Sequence, residues 1–179
     1  MLSIEVVLSE KINDKNQFVI GDSFILEMEH SLASVSKWES KFEKPFLTDA
    51  EKTPEEILEY IKCMTLTPEV PEEVYGALSS SNVEKINDHI AAKMTATWFP
   101  KHSSSKGNPE IVTSEIIYYW MVSCGIPFEC ETWHLSRLLT LIQVCQRKST
   151  PPKKMSKSEA IRQQRELNAR RREQYGSSG

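Results

Sequence analysis

Apolar and polar residues alternate at the start of the chain: Ile4, Val6 and Leu8 are set among Ser3, Glu5 and Ser9, with Val7 the one extra apolar position. Phe18, Ile20, Phe24, Leu26 and Met28 repeat the two-residue period, interrupted at Gly21-Asp22. That period belongs to half-buried strands. Between the two runs, Asn13-Asp14-Lys15-Asn16 supplies polar residues that tolerate left-handed backbone angles, so the opening predicts an antiparallel hairpin or a small three-stranded sheet.

After His30 the period lengthens. Leu32, Val35, Trp38 and Phe42 fall three and four apart, which predicts a helix of about three turns ended by Pro45. Thr53, Pro54 and Glu56 spell a capping box with proline in the first turn, ahead of an apolar face of Ile57, Leu58, Ile61 and Met64. A short helix is expected from Pro71, then another capped by Ser81 and Glu84 with Val83, Ile86, Ile90 and Met94 inward. Residues 100–109, PKHSSSKGNP, read as a flexible loop.

The next section is the most apolar. SEIIYYWMVSC predicts a helix after Thr113 or Ser114, with Gly125 as its left-handed stop and Pro127 barring continuation. A second helix is expected near Thr132, with Trp133, Leu135, Leu138, Leu139, Ile142 and Cys145 on its inner side. These two should form a helical hairpin at the centre of the core. KSTPPKK is a linker, and Ser156 with Glu159 caps a last helix that is almost wholly polar, with Ile161, Leu167 and Tyr175 as its main large apolar residues. The fold expected is α+β and predominantly helical. It has an N-terminal β-hairpin region (1–29) packed on a helical bundle (31–148), then a linker and a protruding basic C-terminal helix (149–179).

Charge sharpens this division. From Arg147 onward ten Lys/Arg face three acids, a charge of +7, while the preceding part holds twelve against twenty-two, a charge of −10. An acidic body with a basic tail points to an anionic partner or to self-association through the tail. The four cysteines form no CxxC pair and the first residues carry no secretion leader, so reduced thiols in a cytosolic protein are expected. The longest strongly apolar run, IIYYWMVSCGIPF, is too short to span a bilayer.

Candidate chemistry is sparse. Cys130 and His134 stand four apart and could share a helical face, but a structural zinc needs about four ligands, and His30, His89 and His102 lie in unrelated segments. The reading is packing, with His134 bonded to backbone or to a carboxylate such as Glu131. No phosphate-binding glycine motif is present, and a Cys-His nucleophile would need an activated thiolate and an oxyanion site that the sequence does not display. No catalytic residue, cofactor or metal is assigned. Trp38, Trp98, Trp120 and Trp133 read mainly as core anchors. The tail supplies the partner-binding candidates Lys153, Lys154, Arg162, Arg165, Arg170, Arg171, Arg172 and Tyr175. With Tyr175 its one aromatic, it disfavours a base-stacking nucleic-acid reader and suits an acidic or amphipathic protein partner.

SKWESKFEKPFL, TPEEILEYIKCMTLT, MTATWF, EIVTSEIIYYWMVSCGIPFECETWHLSRLLTLIQVC and PPKKMSKSEAIRQQRELNARRREQYGSSG together resemble small proteins of the tail-gene region of tailed bacteriophages and prophages, described as tail assembly chaperones. The resemblance runs from about Ser31 onward. It implies a mostly helical, non-enzymatic helper in the host bacterial cytoplasm. Such a helper binds the tape measure protein, keeps it soluble while tail subunits polymerise around it, and leaves before the virion is complete. It carries no catalytic residues to transfer. A long helical chain with an apolar face aggregates when exposed, and grooves or mobile amphipathic helices would cover it. The N-terminal strands depart from an all-helical helper and keep open a structural virion protein of the tail or head-to-tail connector.

Overall fold

The computed structural model describes residues 1–12, 18–99, 111–149 and 157–175. The expected turn at Asn13–Asn16, the loop over 100–109, most of the KSTPPKK linker and the Ser156 cap lie outside them. The fold is α+β: an N-terminal antiparallel hairpin packs against helices. Two compact units divide the chain, Met1–Gln146 and Arg147–Gly179.

Strands β1 (Leu2–Val7) and β4 (Ser23–Met28) pair antiparallel, with Ile4 opposite Leu26 and Val6 opposite Phe24. Alternation puts Ile4, Val6, Leu26 and Met28 into the core, each contributing about 1.5–3 kcal/mol of burial. Strands β2 (Glu10–Ile12) and β3 (Phe18–Ile20) prolong the ribbon. Val7 faces Ser23 and Glu10 faces Ile20, so the register is unbroken across the gap at Leu8-Ser9 and Gly21-Asp22. There Ser9 Oγ donates to Asp22 Oδ2 at 2.9 Å and accepts from the Asp22 amide at 2.9 Å. Among the described residues, the interrupted period is thus a two-stranded antiparallel ribbon in one register, extended only by an isolated bridge from Met28 to Thr65.

Helix α1 (Leu32–Phe42) is the hub, packing against α2 (Pro54–Met64), α5 (Ser114–Ser123) and a 3-10 turn over Phe128–Thr132. Ser31 caps its start, and Glu43 ends it in a left-handed conformation two residues before Pro45. Trp38 is buried among Phe42 and Phe46, and its indole N–H finds the Glu56 carbonyl oxygen at 2.8 Å. The buried Glu39 side chain binds the Phe46 and Ser114 amides, both at 2.7 Å, so α1 also holds the first amide of α5.

Thr53 and Glu56 form the expected capping box on α2. Its buried face is turned from the predicted one: Tyr60, Ile61 and Met64 go inward, while Ile57 is exposed. A short helix α3 (Glu72–Gly76) starts after Pro71, and α4 (Ser80–Ala91) packs against β1. Ser79 caps α4 through the Asn82 amide, two residues earlier than predicted, and Met94 lies beyond the helix and exposed. Asn82 also donates to the Glu5 carbonyl oxygen at 2.8 Å, which joins α4 to the hairpin.

Gly125 takes φ +67° as expected and closes α5. The Ile126 amide reaches Met121 O and the Gly125 amide Val122 O, with Met121 and Ile126 both buried, the bonding pattern and apolar contact of a Schellman stop. The following helix differs from expectation. Residues 128–132 make the 3-10 turn, Trp133 is extended, and α6 (Leu135–Ser149) begins only at Leu135. Trp133, expected on the inner side of that helix, precedes it instead and packs half-buried at the edge of the core under Arg137, at 4.1 Å, while Phe128 is exposed. Trp98 is 75% exposed and anchors nothing in the core. The core centres on α1 instead of on an α5–α6 hairpin. In the second unit, α7 (Lys157–Tyr175) is a long helix with exposed Ile161 and Leu167.

Truncating the two tryptophans should separate hub from rim. Trp38→Ala is expected to cost about 3–5 kcal/mol in urea denaturation. Trp133→Ala should cost about 1–2 kcal/mol, since it loses partial burial and a cation–π contact. Equal losses would contradict this placement of the core.

Candidate functional site

Where β4 passes into α1, the structure gathers residues that the sequence separates. Glu29 is held there by its amide to the Met64 carbonyl oxygen at 2.9 Å, and the His30 carbonyl accepts the first amide of α6, Leu135, at 2.7 Å. His89 arrives from α4, three residues after the buried Ile86 and so on the same inward face. His134 stands just before α6, its backbone bridged to Ser31. All four side chains are buried.

Their contacts form a network. His89 Nε2 lies 2.8 Å from Glu29 Oε1, and the chain's amino group at Met1 lies 2.5 Å from Oε2. Burial works to raise the Glu29 pKa, but hydrogen bonds from the amino group and His89 outweigh it and hold the carboxyl below its ordinary value. His134 Nε2 donates to the His89 carbonyl oxygen at 2.8 Å, a bond to backbone as expected of this histidine. Its ring meets those of His30 and His89 edge-on, at centroid distances of 5.2 and 5.0 Å.

His30 Nδ1 lies 2.5 Å from the Tyr60 hydroxyl. Burial raises the Tyr60 pKa well above its ordinary value, so the phenol keeps its proton and can donate to a neutral imidazole. Burial first, then the neighbouring His134 and His89, push the His30 pKa down to about 4. The group thus combines one ionised carboxylate with three imidazoles in a buried setting. Glu29, His89 and His134 each offer one ligand-type atom within 4.8 Å of the others.

Cys130 is not in this group. A four-residue spacing aligns two side chains only on a continuous α-helix, and the 3-10 turn with extended Trp133 breaks that continuity. Glu131 bonds the Tyr118 hydroxyl at 2.5 Å. The basic candidates Arg162, Arg165, Arg170, Arg171 and Arg172 are exposed on α7, and Tyr175 is its last residue. Lys153 and Lys154 lie outside the described residues.

A second feature lies on α5. Tyr119 and Val122, three apart and on one side of the helix, are 68% and 61% exposed. A cavity of about 380 Å³ lies between α5 and α6, lined mainly by Leu47, Val112, Trp120, Leu139, Ile142 and Gln143. No helix among the described residues is long and apolar enough to cross a membrane. Comparison with known families, curated proteins and solved structures finds no match to this chain.

The buried cluster escapes a reading by spacing because its members come from three separate segments. One local signal does precede it: His89 occupies an inward position of α4, where an apolar residue would be expected. The cluster predicts an acid sensitivity whose sign follows from His30. The folded protein protonates His30 near pH 4 and the unfolded chain near pH 6.5, so the unfolded state binds more protons in between. Stability is therefore complete above pH 6.5 and falls as pH drops toward 4, by on the order of 3 kcal/mol. Glu29, also held below its ordinary value, adds a loss of the same sign at still lower pH. Urea denaturation across this range, with EDTA present so that only protons compete for the imidazoles, checks the slope. A flat profile would contradict it.

Proposed function

We propose that this chain is a non-enzymatic tail assembly chaperone, binding the tape measure protein of a tailed phage or prophage in the host cytoplasm. The supporting observation is the apolar outer side of α5, where Tyr119 and Val122 face solvent instead of core. Ile111 before the helix and Phe128 after it are exposed as well. Large apolar side chains left outside a domain with a well-filled interior suit a protein partner.

The surface suits a partner of particular chemistry. An amphipathic helix laid along α5 would place apolar side chains on Tyr119 and Val122 and into the neighbouring cleft, the helix-in-groove mode. A tape measure protein, as a long helical chain with apolar faces, presents such helices repeatedly. The exposed arginines of α7 suit acidic stretches of the same chain and would speed encounter by charge attraction. They would also serve an arm held in a neighbouring subunit, the role of α7 if the protein remains in the virion.

Co-expression with the tape measure protein tests the reading. This chain should raise the soluble fraction of that protein several-fold. The double variant Y119D/V122D should abolish most of the gain while keeping its own unfolding midpoint within a few degrees. Unchanged solubility with and without the wild-type chain would overturn the proposal. Stoichiometric recovery from purified particles would instead favour the structural role.

A further inference from the structure

We propose that Glu29, His89 and His134 bind one divalent transition-metal ion of the zinc class, which clamps the β4–α1 junction to α4 and to the start of α6. This inference stands apart from the chaperone reading and does not depend on it. One ligand-type atom from each residue lies within 4.8 Å of the other two, and all three side chains are buried. Two imidazole nitrogens and a carboxylate oxygen form a donor set that zinc, cobalt and nickel accept. Magnesium and calcium call for oxygens throughout.

Each donor is already oriented by a further contact. Glu29 Oε2 is engaged by the amino group of Met1, which leaves Oε1 turned to His89. His134 Nε2 donates to the His89 carbonyl oxygen, which fixes the tautomer and leaves the ring's lone pair on Nδ1. Metal-bound histidines use the same tie to a backbone carbonyl. The Ser136 amide approaches that Nδ1 only at 3.3 Å, a weak bond for a cation to displace.

Glu29 Oε1 and His89 Nε2 are now 2.8 Å apart, closed by a hydrogen bond. Two donors on a tetrahedral ion with bonds of about 2.1 Å are separated by roughly 3.4 Å. The ion therefore takes the place of the shared proton while the pair opens by roughly half an ångström, and the imidazole keeps its proton on Nδ1, so that His89 Nε2 coordinates as a neutral ring. A carboxylate that holds its charge in a buried site gains a fixed cation in return. Three protein ligands leave the remaining position to solvent, with His30 at the border of the site.

The test uses the full chain, stripped with EDTA and then titrated with zinc. About one ion per chain should bind, and the melting temperature should rise by about 5–10 °C at a hundredfold excess over Kd. His89→Gln should abolish both effects. The cysteines are the competing site, since the Cys124 and Cys145 thiols approach each other. A Cys124→Ser/Cys145→Ser variant should keep the ion and the stabilisation. If His89→Gln does not fold, cobalt loading of the wild-type chain decides, with imidazole–carboxylate ligation giving visible d–d bands without a thiolate charge-transfer band. Absence of binding, survival of binding in His89→Gln, loss of it in the cysteine variant, or a thiolate band would each overturn the assignment.

Discussion

The structure turns on the short passage from Glu27 to Ser31, where one extended segment supplies bonds to elements from distant parts of the sequence. Glu27 O accepts the Leu66 amide, the Glu29 amide goes to Met64 O, and His30 O takes the Leu135 amide. The same few residues carry the Ser31 cap of α1 and the Glu29 carboxylate that meets His89 of α4. Backbone groups and a carboxylate taken out of water must find partners, so this passage can be buried only if α2 and α6 meet its backbone and α4 meets Glu29. The hairpin and the helices are thereby bound to one arrangement, though apolar burial supplies most of the stabilisation.

This interior polar centre has an outward counterpart. α1 turns Leu32, Val35 and Trp38 to the core and holds α5 by the Glu39 carboxylate at Ser114, so α5 needs only one side for packing. The opposite side is free to carry Tyr119 and Val122 at the surface. Interior bonds fix a rigid support, and the support presents these apolar side chains at defined positions. The basic α7 belongs to the second compact unit.

Local features could be read directly from residues. The strand period, the Thr53–Glu56 box and the Gly125 stop each depend on neighbours within a few positions, and all three occur as anticipated. Where two candidates compete for one local role, packing decides. Ser79 displaces Ser81 as the cap of α4, and Tyr60 replaces Ile57 on the inner face of α2, because Tyr60 can both fill the core and reach His30. Trp133 misleads for a similar reason. Pro127 starts a 3-10 turn and Trp133 follows it in extended backbone, so the ring sits half-buried at the edge of the core instead of on the inner face of α6. The histidine cluster has no local signature beyond the inward place of His89 on α4, since only the tertiary fold brings positions 29, 30, 89 and 134 together. The surface offered by α5 was likewise hidden, because a helix apolar on every side reads as fully buried.

Native-state hydrogen exchange of the main-chain amides tests the central claim most directly, because it reports whether the hairpin and the α1 hub open together. Amides of the β1–β4 ladder near Val6 and Leu26 should exchange with the same opening free energy as those of α1 around Trp38. Strand amides that open at a free energy several kcal/mol below α1, with the helices still protected, would show that the passage from Glu27 to Ser31 does not bind the two parts into one unit.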